Sequence, residues 1–219
     1  MGKLFVIDGL DGSGKATQAE ILVDKLKSRG ELVKHIEYPN YESHSSDLVK
    51  LYLNGGISKD PFDVNAYATT SFYACDHYIQ YEISWKQDYL ANKIIVADRY
   101  VSSNAIHQMV KLPKNEWDSF LNWLYDYEFN KLGLPRENKL IYLDLDPLIS
   151  QKLINIRYNN IDKRDIHEKN INYLLQCREA ALYAAKILKW EIVRCDDGSE
   201  ILSIEKISKK ILKLIDEVD

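Results

Sequence analysis

The run Gly9-Leu10-Asp11-Gly12-Ser13-Gly14-Lys15 carries the densest chemical information in the chain. Glycines at this spacing let successive backbone N–H groups turn inward around phosphate oxygens. Lys15 adds a movable positive charge, and a helix starting there adds the positive end of its dipole. The expected chemistry is phosphate binding of a nucleoside triphosphate by Gly9, Gly12, Ser13, Gly14, Lys15, Ala16 and Thr17. Ala16 stands where a Ser or Thr hydroxyl usually faces Mg²⁺, and Thr17 lies about 100° further round the helix. A glycine-rich turn that holds nothing would carry the same letters. A second group, Asp98-Arg99-Tyr100, ends the apolar run Ile94-Ile95-Val96-Ala97. Asp98 could hold Mg²⁺ directly or through water, and Arg99 offers a planar fork of donors suited to a phosphate. The bland alternative is an Asp–Arg pair that closes a strand end.

The segment 155–168 is polar and charged and interrupts two helical patterns. It is either a plain surface loop or a lid that closes over phosphates. Arg157, Lys163 and Arg164 would then approach the transferred group, where positive charge stabilises phosphoryl transfer without covalent chemistry. The spacing does not say which of the three arrives.

The elements that must position these groups are legible from periodicity. Apolar runs at Leu4–Asp8, Leu32–Tyr38, Ile94–Ala97, Leu140–Leu145 and Glu191–Cys195 predict five strands. Helical patterns cover 15–29, 46–54, 64–91, 115–131, 147–157, 166–188 and 200–217. Strands alternating with helices predict an α/β fold, a five-stranded parallel sheet with helices on both faces. In such sheets ligands sit beyond the carboxyl ends of the strands, so both groups should face one crevice. Lys206, Lys209, Lys210 and Lys213 fall between the apolar positions of the last helix and read as its solvated face.

At 219 residues with no dividing linker, the chain is expected to form one domain, 1–219, with its lid at about 155–168. The 29 basic and 33 acidic residues leave a net charge of −4, which argues against nucleic-acid or membrane-surface binding. Cys75, Cys177 and Cys195 are too scattered for a disulfide framework or a zinc site. They read as reduced, buried thiols of a cytoplasmic protein. The first residues run straight into a strand pattern, which predicts no signal peptide, and no apolar run approaches the ~20 residues of a membrane span. Most of the 15 tyrosines read as half-buried helix residues.

Three motifs together resemble the thymidylate kinase family nearly end to end: the loop at 9–15 with Thr17-Gln18, Tyr38-Pro39-Asn40-Tyr41, and Asp98-Arg99-Tyr100-Val101-Ser102-Ser103-Asn104-Ala105-Ile106-His107-Gln108. The resemblance implies transfer of the γ-phosphoryl of ATP to dTMP with Mg²⁺, on the P-loop kinase fold, in a homodimer with ATP and dTMP as its nucleotide partners. Lys15 would hold the donor phosphates, and Asp11 would orient the acceptor or its metal shell. Arg99 would grip the acceptor phosphate, and Asp98 would position Mg²⁺. Tyr73 would stack on the base, with Ser103, Asn104 and His107 along the acceptor site. Tyr41 would lie near the deoxyribose. With no arginine in the phosphate loop, Arg157 or Arg164 would serve as the catalytic arginine. His77 stands where relatives usually carry an arginine that reads a base carbonyl, and Tyr38–Tyr41 lacks an arginine many relatives have.

Two other readings compete. A deoxynucleoside or other pyrimidine nucleotide kinase would need a base such as Glu37 if its acceptor were a hydroxyl. A nucleotide sensor without turnover is the other. Asn130-Lys131-Leu132-Gly133 lacks the aspartate of a guanine-reading motif, and Lys15, Asp98 and Arg99 are all retained.

Overall fold

Leu4–Gly9 is buried at every position, and that pattern places it in the middle of a sheet covered on both faces. A computed structural model describes residues 1–151, 167 and 170–218 and puts this strand (β1) at the centre. The other strands are β2 (Val33–Glu37), β3 (Ile94–Asp98), β4 (Lys139–Asp144) and β5 (Glu191–Arg194). Their order is β2-β3-β1-β4-β5 and every pairing is parallel. The register sets Ile7 beside Asp98 and Gly9 beside Leu143. The carboxyl ends of β1 and β3 therefore open side by side.

Alternate residues of β1 feed two separate cores. Leu4 and Val6 join Tyr38, Trp85, Tyr100, Phe120, Tyr142 and Tyr173 on one face. Phe5 and Ile7 join Leu22, Leu26, Ile207 and Ile211 on the other. The second layer is supplied by α1 (Lys15–Ser28) and, at the end of the chain, Ile204–Asp216. In α1 the buried positions Ala19, Leu22, Val23 and Leu26 keep helical spacing. Each large apolar side chain buried this way contributes about 1.5–3 kcal/mol.

The first layer is built from α2 (Asp47–Leu53), α3 (Ala66–Gln80), α4 (Lys86–Leu90), α5 (Val101–His107), α6 (Trp117–Tyr125) and α7 (Ile171–Leu188). Asn65 caps α3 by accepting from Ala68 N–H, and Asn170 caps α7 by accepting from Tyr173 N–H. Ala180, Ala181, Ala184 and Ala185 are buried and give α7 a small-residue face in the core, where it packs chiefly against α5. The last helix, α8 (Ile204–Asp216), starts at Ser203, whose hydroxyl accepts from Lys206 N–H. Lys206, Lys209, Lys210 and Lys213 are exposed on it, as the spacing predicts.

The strands agree with the sequence reading to within a residue at each end. Three helical expectations change. The stretch 64–91 is interrupted by a π-helical turn at Tyr81–Trp85, and 115–131 ends in another at Asp126–Lys131. Helix α5 was not expected, because Ser102, Ser103 and Asn104 give it no apolar stripe. The pattern at 147–157 begins as a helix at Pro147, and its remainder after 151 lies outside the described residues. The thiols also need one correction: Cys177 and Cys195 are buried, whereas Cys75 is exposed; all three are free. Among the described residues, no helix is long and apolar enough to cross a membrane.

Candidate active site

The loop between β1 and α1 takes its shape from glycine. Gly14 is the N-cap of α1 at φ 88°, a left-handed conformation that side chains disfavour. A Cβ on Gly9 would stand 2.8 Å from the Leu143 carbonyl oxygen of the neighbouring strand. The first turn of α1 has no side-chain cap and no acidic residue, so its N–H groups remain for an anion. Ser13 Oγ is buried without a hydrogen-bond partner. Lys15 is buried and folds back on the loop, donating from Nζ to the Leu10 carbonyl at 3.0 Å, with Asp11 at 3.7 Å. Burial, reinforced by Arg99, lowers its pKa, while Asp11 and Asp98 oppose the shift. Ala16 and Thr17 are exposed at the start of the helix.

Beside this loop, β3 delivers Asp98 and Arg99. Arg99 stops the strand with φ 67°, rare for a bulky residue, and its N–H bonds the Ile7 carbonyl at 3.0 Å. Its guanidinium donates to Asp11, to the Gly9 carbonyl at 3.4 Å and to His107 Nε2 at 3.4 Å, with Asp8 at 3.7 Å. Burial alone would raise the Asp11 carboxyl, but Arg99 and then Lys15 outweigh it and hold the group far below the usual carboxylate range. Asp8 is fully buried and accepts from Gly9 N–H, Ser102 Oγ and Ser103 Oγ at 2.7, 2.6 and 2.9 Å. It braces the ends of β1 and α5 against each other. Burial raises the Asp98 pKa against the pull of Lys15 and Arg99.

A cavity opens between this end of the sheet and α3. All eight residues expected at the acceptor site line it: Asp11, Tyr41, Tyr73, His77, Arg99, Ser103, Asn104 and His107. The 38–41 turn is pinned by Asp76, which accepts from Asn40 N–H at 3.1 Å and from the Ser45 hydroxyl. Behind it, Trp85 Nε1 donates to Tyr38 Oη at 2.9 Å, and the Tyr38 and His77 rings meet edge-on at 4.7 Å. His107 stacks on His167 at 5.2 Å. Burial drives both imidazoles toward the neutral form, His107 well below its ordinary value and His167 to about 3, with nearby cations assisting. A guanidinium only donates, so the His107 Nε2 facing Arg99 carries the lone pair, and Nδ1 turns its proton toward Cys177 Sγ at 3.7 Å.

Sequence reasoning gave no site role to Asp8, Tyr38, Leu53, Gln108, Glu128 or His167. The Asp8 signal was available: an acid ending an apolar strand one residue before the glycine loop. His167 lies inside the segment expected as a lid and reaches the cavity wall, bonded to Tyr52 Oη at 2.8 Å. Arg157, Lys163 and Arg164 lie outside the described residues. Glu37 faces a different groove, with His35 and Gln80, and does not line the cavity.

The fit to a divalent cation rests on Asp98. Its Oδ1 is buried without a hydrogen-bond partner, beside the loop that would hold phosphates. No cluster of three metal-ligating side chains occurs among the described residues. One carboxylate oxygen with phosphate and water completing the shell is the pattern Mg²⁺ takes in such sites.

A family model described as thymidylate kinase matches residues 7–211. Thymidylate kinase of Mycobacterium tuberculosis (strain ATCC 25618 / H37Rv) is 29% identical over 191 residues, covering 83% of this chain and 84% of that protein. Thymidylate kinase of Schizosaccharomyces pombe (strain 972 / ATCC 24843) is 26% identical over 222 residues, covering 100% and 93%. The solved structure of thymidylate kinase from Candida albicans has the same fold, with a TM-score of 0.70 at 21% identity over 98% of this chain and 91% of that one. The match runs from within β1 into α8, and on it the chain belongs to the thymidylate kinase family.

Proposed function

We propose that the chain transfers the γ-phosphoryl of ATP to the 5′-phosphate of dTMP, giving dTDP and ADP. The observation that carries this is the continuity of two sites: the acceptor cavity ends on Asp11 and Arg99, and the same pair borders the phosphate loop. A monophosphate in the cavity would present its phosphate to the donor for in-line attack.

The acceptor phosphate is already an anion at neutral pH, so the reaction needs positioning and charge rather than a general base. Lys15 and the first N–H groups of α1 hold the β- and γ-phosphates of the donor. Arg99 grips the acceptor phosphate, and Asp11 keeps the guanidinium aimed. Asp98 would hold Mg²⁺, which neutralises charge on the donor phosphates when bound. Arg157 or Arg164 supplies the remaining positive charge over the equatorial oxygens. Segment 155–168, acting as a lid on a single domain, excludes water and suppresses ATP hydrolysis. Tyr73 stacks on the base, Tyr41 packs at the deoxyribose, and His77, Asn104 and His107 complete the wall.

A homodimer is supported by the family and by Tyr78, Ile79 and Ile83, which are 40, 39 and 73% exposed on the outer side of α3 and its π-helical extension. The net charge of −4 supports a protein that does not bind nucleic acid, and the free thiols support a cytoplasmic setting. The test is coupled ATP turnover with Mg²⁺ against a panel of nucleoside monophosphates and deoxynucleosides. Selective turnover of dTMP is expected. Turnover confined to a deoxynucleoside, or ATP binding with no acceptor consumed, would refute the reading.

A further inference from the structure

We propose that Asp76 is a positioning residue. From α3 it holds the turn after β2 in the shape that carries Tyr41 to the cavity mouth, and so sets both the grip on dTMP and the preference for a 2′-deoxyribose. The inference rests on the cavity's being the nucleotide acceptor site, with Tyr41 beside the sugar.

Helix α3 presents two stripes at i, i+4 spacing. Tyr73 and His77 line the cavity. Asp76 and Gln80 face the turn instead. Asp76 is 0% exposed. Its Oδ2 accepts from Asn40 N–H at 3.1 Å, and its Oδ1 accepts from the Ser45 hydroxyl. Gln80 grips the same two residues: its Oε1 accepts from Asn40 Nδ2 at 3.2 Å, and its Nε2 donates to Ser45 Oγ at 2.9 Å. Ser46 Oγ donates to the Asn40 carbonyl at 2.6 Å and closes the turn on itself.

Tyr41 is 55% exposed, so its place at the cavity depends on the backbone that carries it. Asn40 immediately precedes it, and a shift at the Asn40 N–H passes directly to the ring. A second tether comes from α2, where Lys50 Nζ donates to the Tyr41 and Ser43 carbonyls at 3.2 Å each. That tether grips carbonyls beyond Asn40 and leaves the Asn40 N–H to Asp76. Without the Asp76 oxygens the N–H would face an apolar gap inside the fold, and the turn would move to satisfy it. Tyr41 would move with it. Because Tyr41 lies by the sugar and not by the reacting phosphate, the loss falls on KM and on sugar discrimination.

The test is steady-state kinetics of the full chain with dTMP and with its ribose counterpart at saturating ATP. Equilibrium binding of dTMP and urea unfolding are measured in parallel. Asp76→Leu should raise the KM for dTMP about 10- to 100-fold, with kcat within about threefold and the KM for ATP unmoved. The preference for dTMP over the ribonucleotide should fall about tenfold. A merely structural loss would lower the active fraction, and with it kcat, at unchanged KM and unchanged preference. Asp76→Asn supplies a carbonyl for the Asn40 N–H and an N–H for Ser45 Oγ, whose own proton then turns to Ser43 Oγ, 2.9 Å away. It should keep the KM within about threefold of the unmodified chain. Ser45→Ala removes one of the two bonds without touching α3, and should raise the KM about threefold or more. The proposal is overturned by an unmoved KM in a folded Asp76→Leu variant, a fall confined to kcat, a preference that survives the rise in KM, or an Asp76→Asn variant as impaired as Asp76→Leu. If Asp76→Leu does not fold, an unmoved KM in Ser45→Ala overturns it. Binding of dTMP without transfer refutes the kinase reading alone, and the Kd then reads the same shifts. Transfer to dTMP with the KM unmoved in these variants refutes this inference alone.

Discussion

Replacing Arg99 with alanine tests the placement on which the mechanism depends. The side chain is 17% exposed and has its donors spread over Asp11, the Gly9 carbonyl and His107, at the point where cavity and phosphate loop meet. Two charge-assisted hydrogen bonds to an acceptor phosphate are worth about 3–6 kcal/mol together. On that basis kcat/KM for dTMP should fall about 10²- to 10⁴-fold. The loss should sit at the high end, because Arg99 also offsets Asp8, Asp11 and Asp98. Without it, three carboxylates face an incoming dianion. Removing Asp11 as well should give some activity back, so that Asp11→Asn with Arg99→Ala costs less than the two single changes summed, by about 1 kcal/mol or more. Arg99→Lys keeps the charge but loses the planar fork, and should fall between. The assay is steady-state kinetics with dTMP varied at saturating ATP, then the reverse, with urea unfolding as a check on the fold. A rise in the KM for ATP with that for dTMP unmoved would put Arg99 on the other nucleotide. Additive losses in the double variant would refute the electrostatic argument.

Three further outcomes follow from the same geometry. Lys15→Ala should abolish transfer and leave the fold intact, since its contacts are with its own loop; unchanged turnover would sink the assignment of the phosphate loop. Ala16→Ser should lower the Mg²⁺ concentration needed for half-maximal rate, and an identical Mg²⁺ titration would mean that the metal is held by other groups. Lys111 should make stability depend on pH. Burial lowers its pKa to about 7, against an ordinary value near 10.5. Its Nζ donates to Tyr52 Oη and Thr69 Oγ1 at 3.0 and 3.1 Å. Below pH 7 both folded and unfolded chains carry the charge, and the folded chain bears its full desolvation cost. Between about 7 and 10.5 only the unfolded chain is protonated, so this group raises stability as pH rises through that window. Lys111→Met should flatten that part of the profile and stabilise the fold at pH 6 by about 1 kcal/mol. A profile from urea unfolding that is the same with and without Lys111 would contradict this.

Much of the site was readable because its chemistry sits at strand ends. The glycine loop follows β1, and Asp98-Arg99 follows β3, so alternation of apolar runs and polar tips was enough to bring them together. What stayed hidden was polar and buried at once. Ser102, Ser103 and Asn104 give α5 no apolar stripe, because they face Asp8 and Glu128 and not solvent. Glu128 sits in a helical run of mixed polarity, where an acid reads as a solvated face. Only the three-dimensional pairing with His77 and Asn104 explains its burial. His167 was visible as a residue of a polar loop, but its stacking on His107 depends on a fold-back that periodicity does not encode.

The two apolar layers have a consequence for descent. α1 and α8 pack on one face of β1, through Phe5 and Ile7. The cavity wall is carried on the opposite face, with Tyr38, Trp85, Tyr100 and Phe129 as its backing. The faces share the central strands β1, β3 and β4 and, at their ends, the Asp11–Arg99 contact. A lineage can therefore accumulate substitutions behind the cavity wall while the glycine loop and the face that carries α1 drift under separate selection. Innovation in one half is separated from the other by the thickness of the sheet.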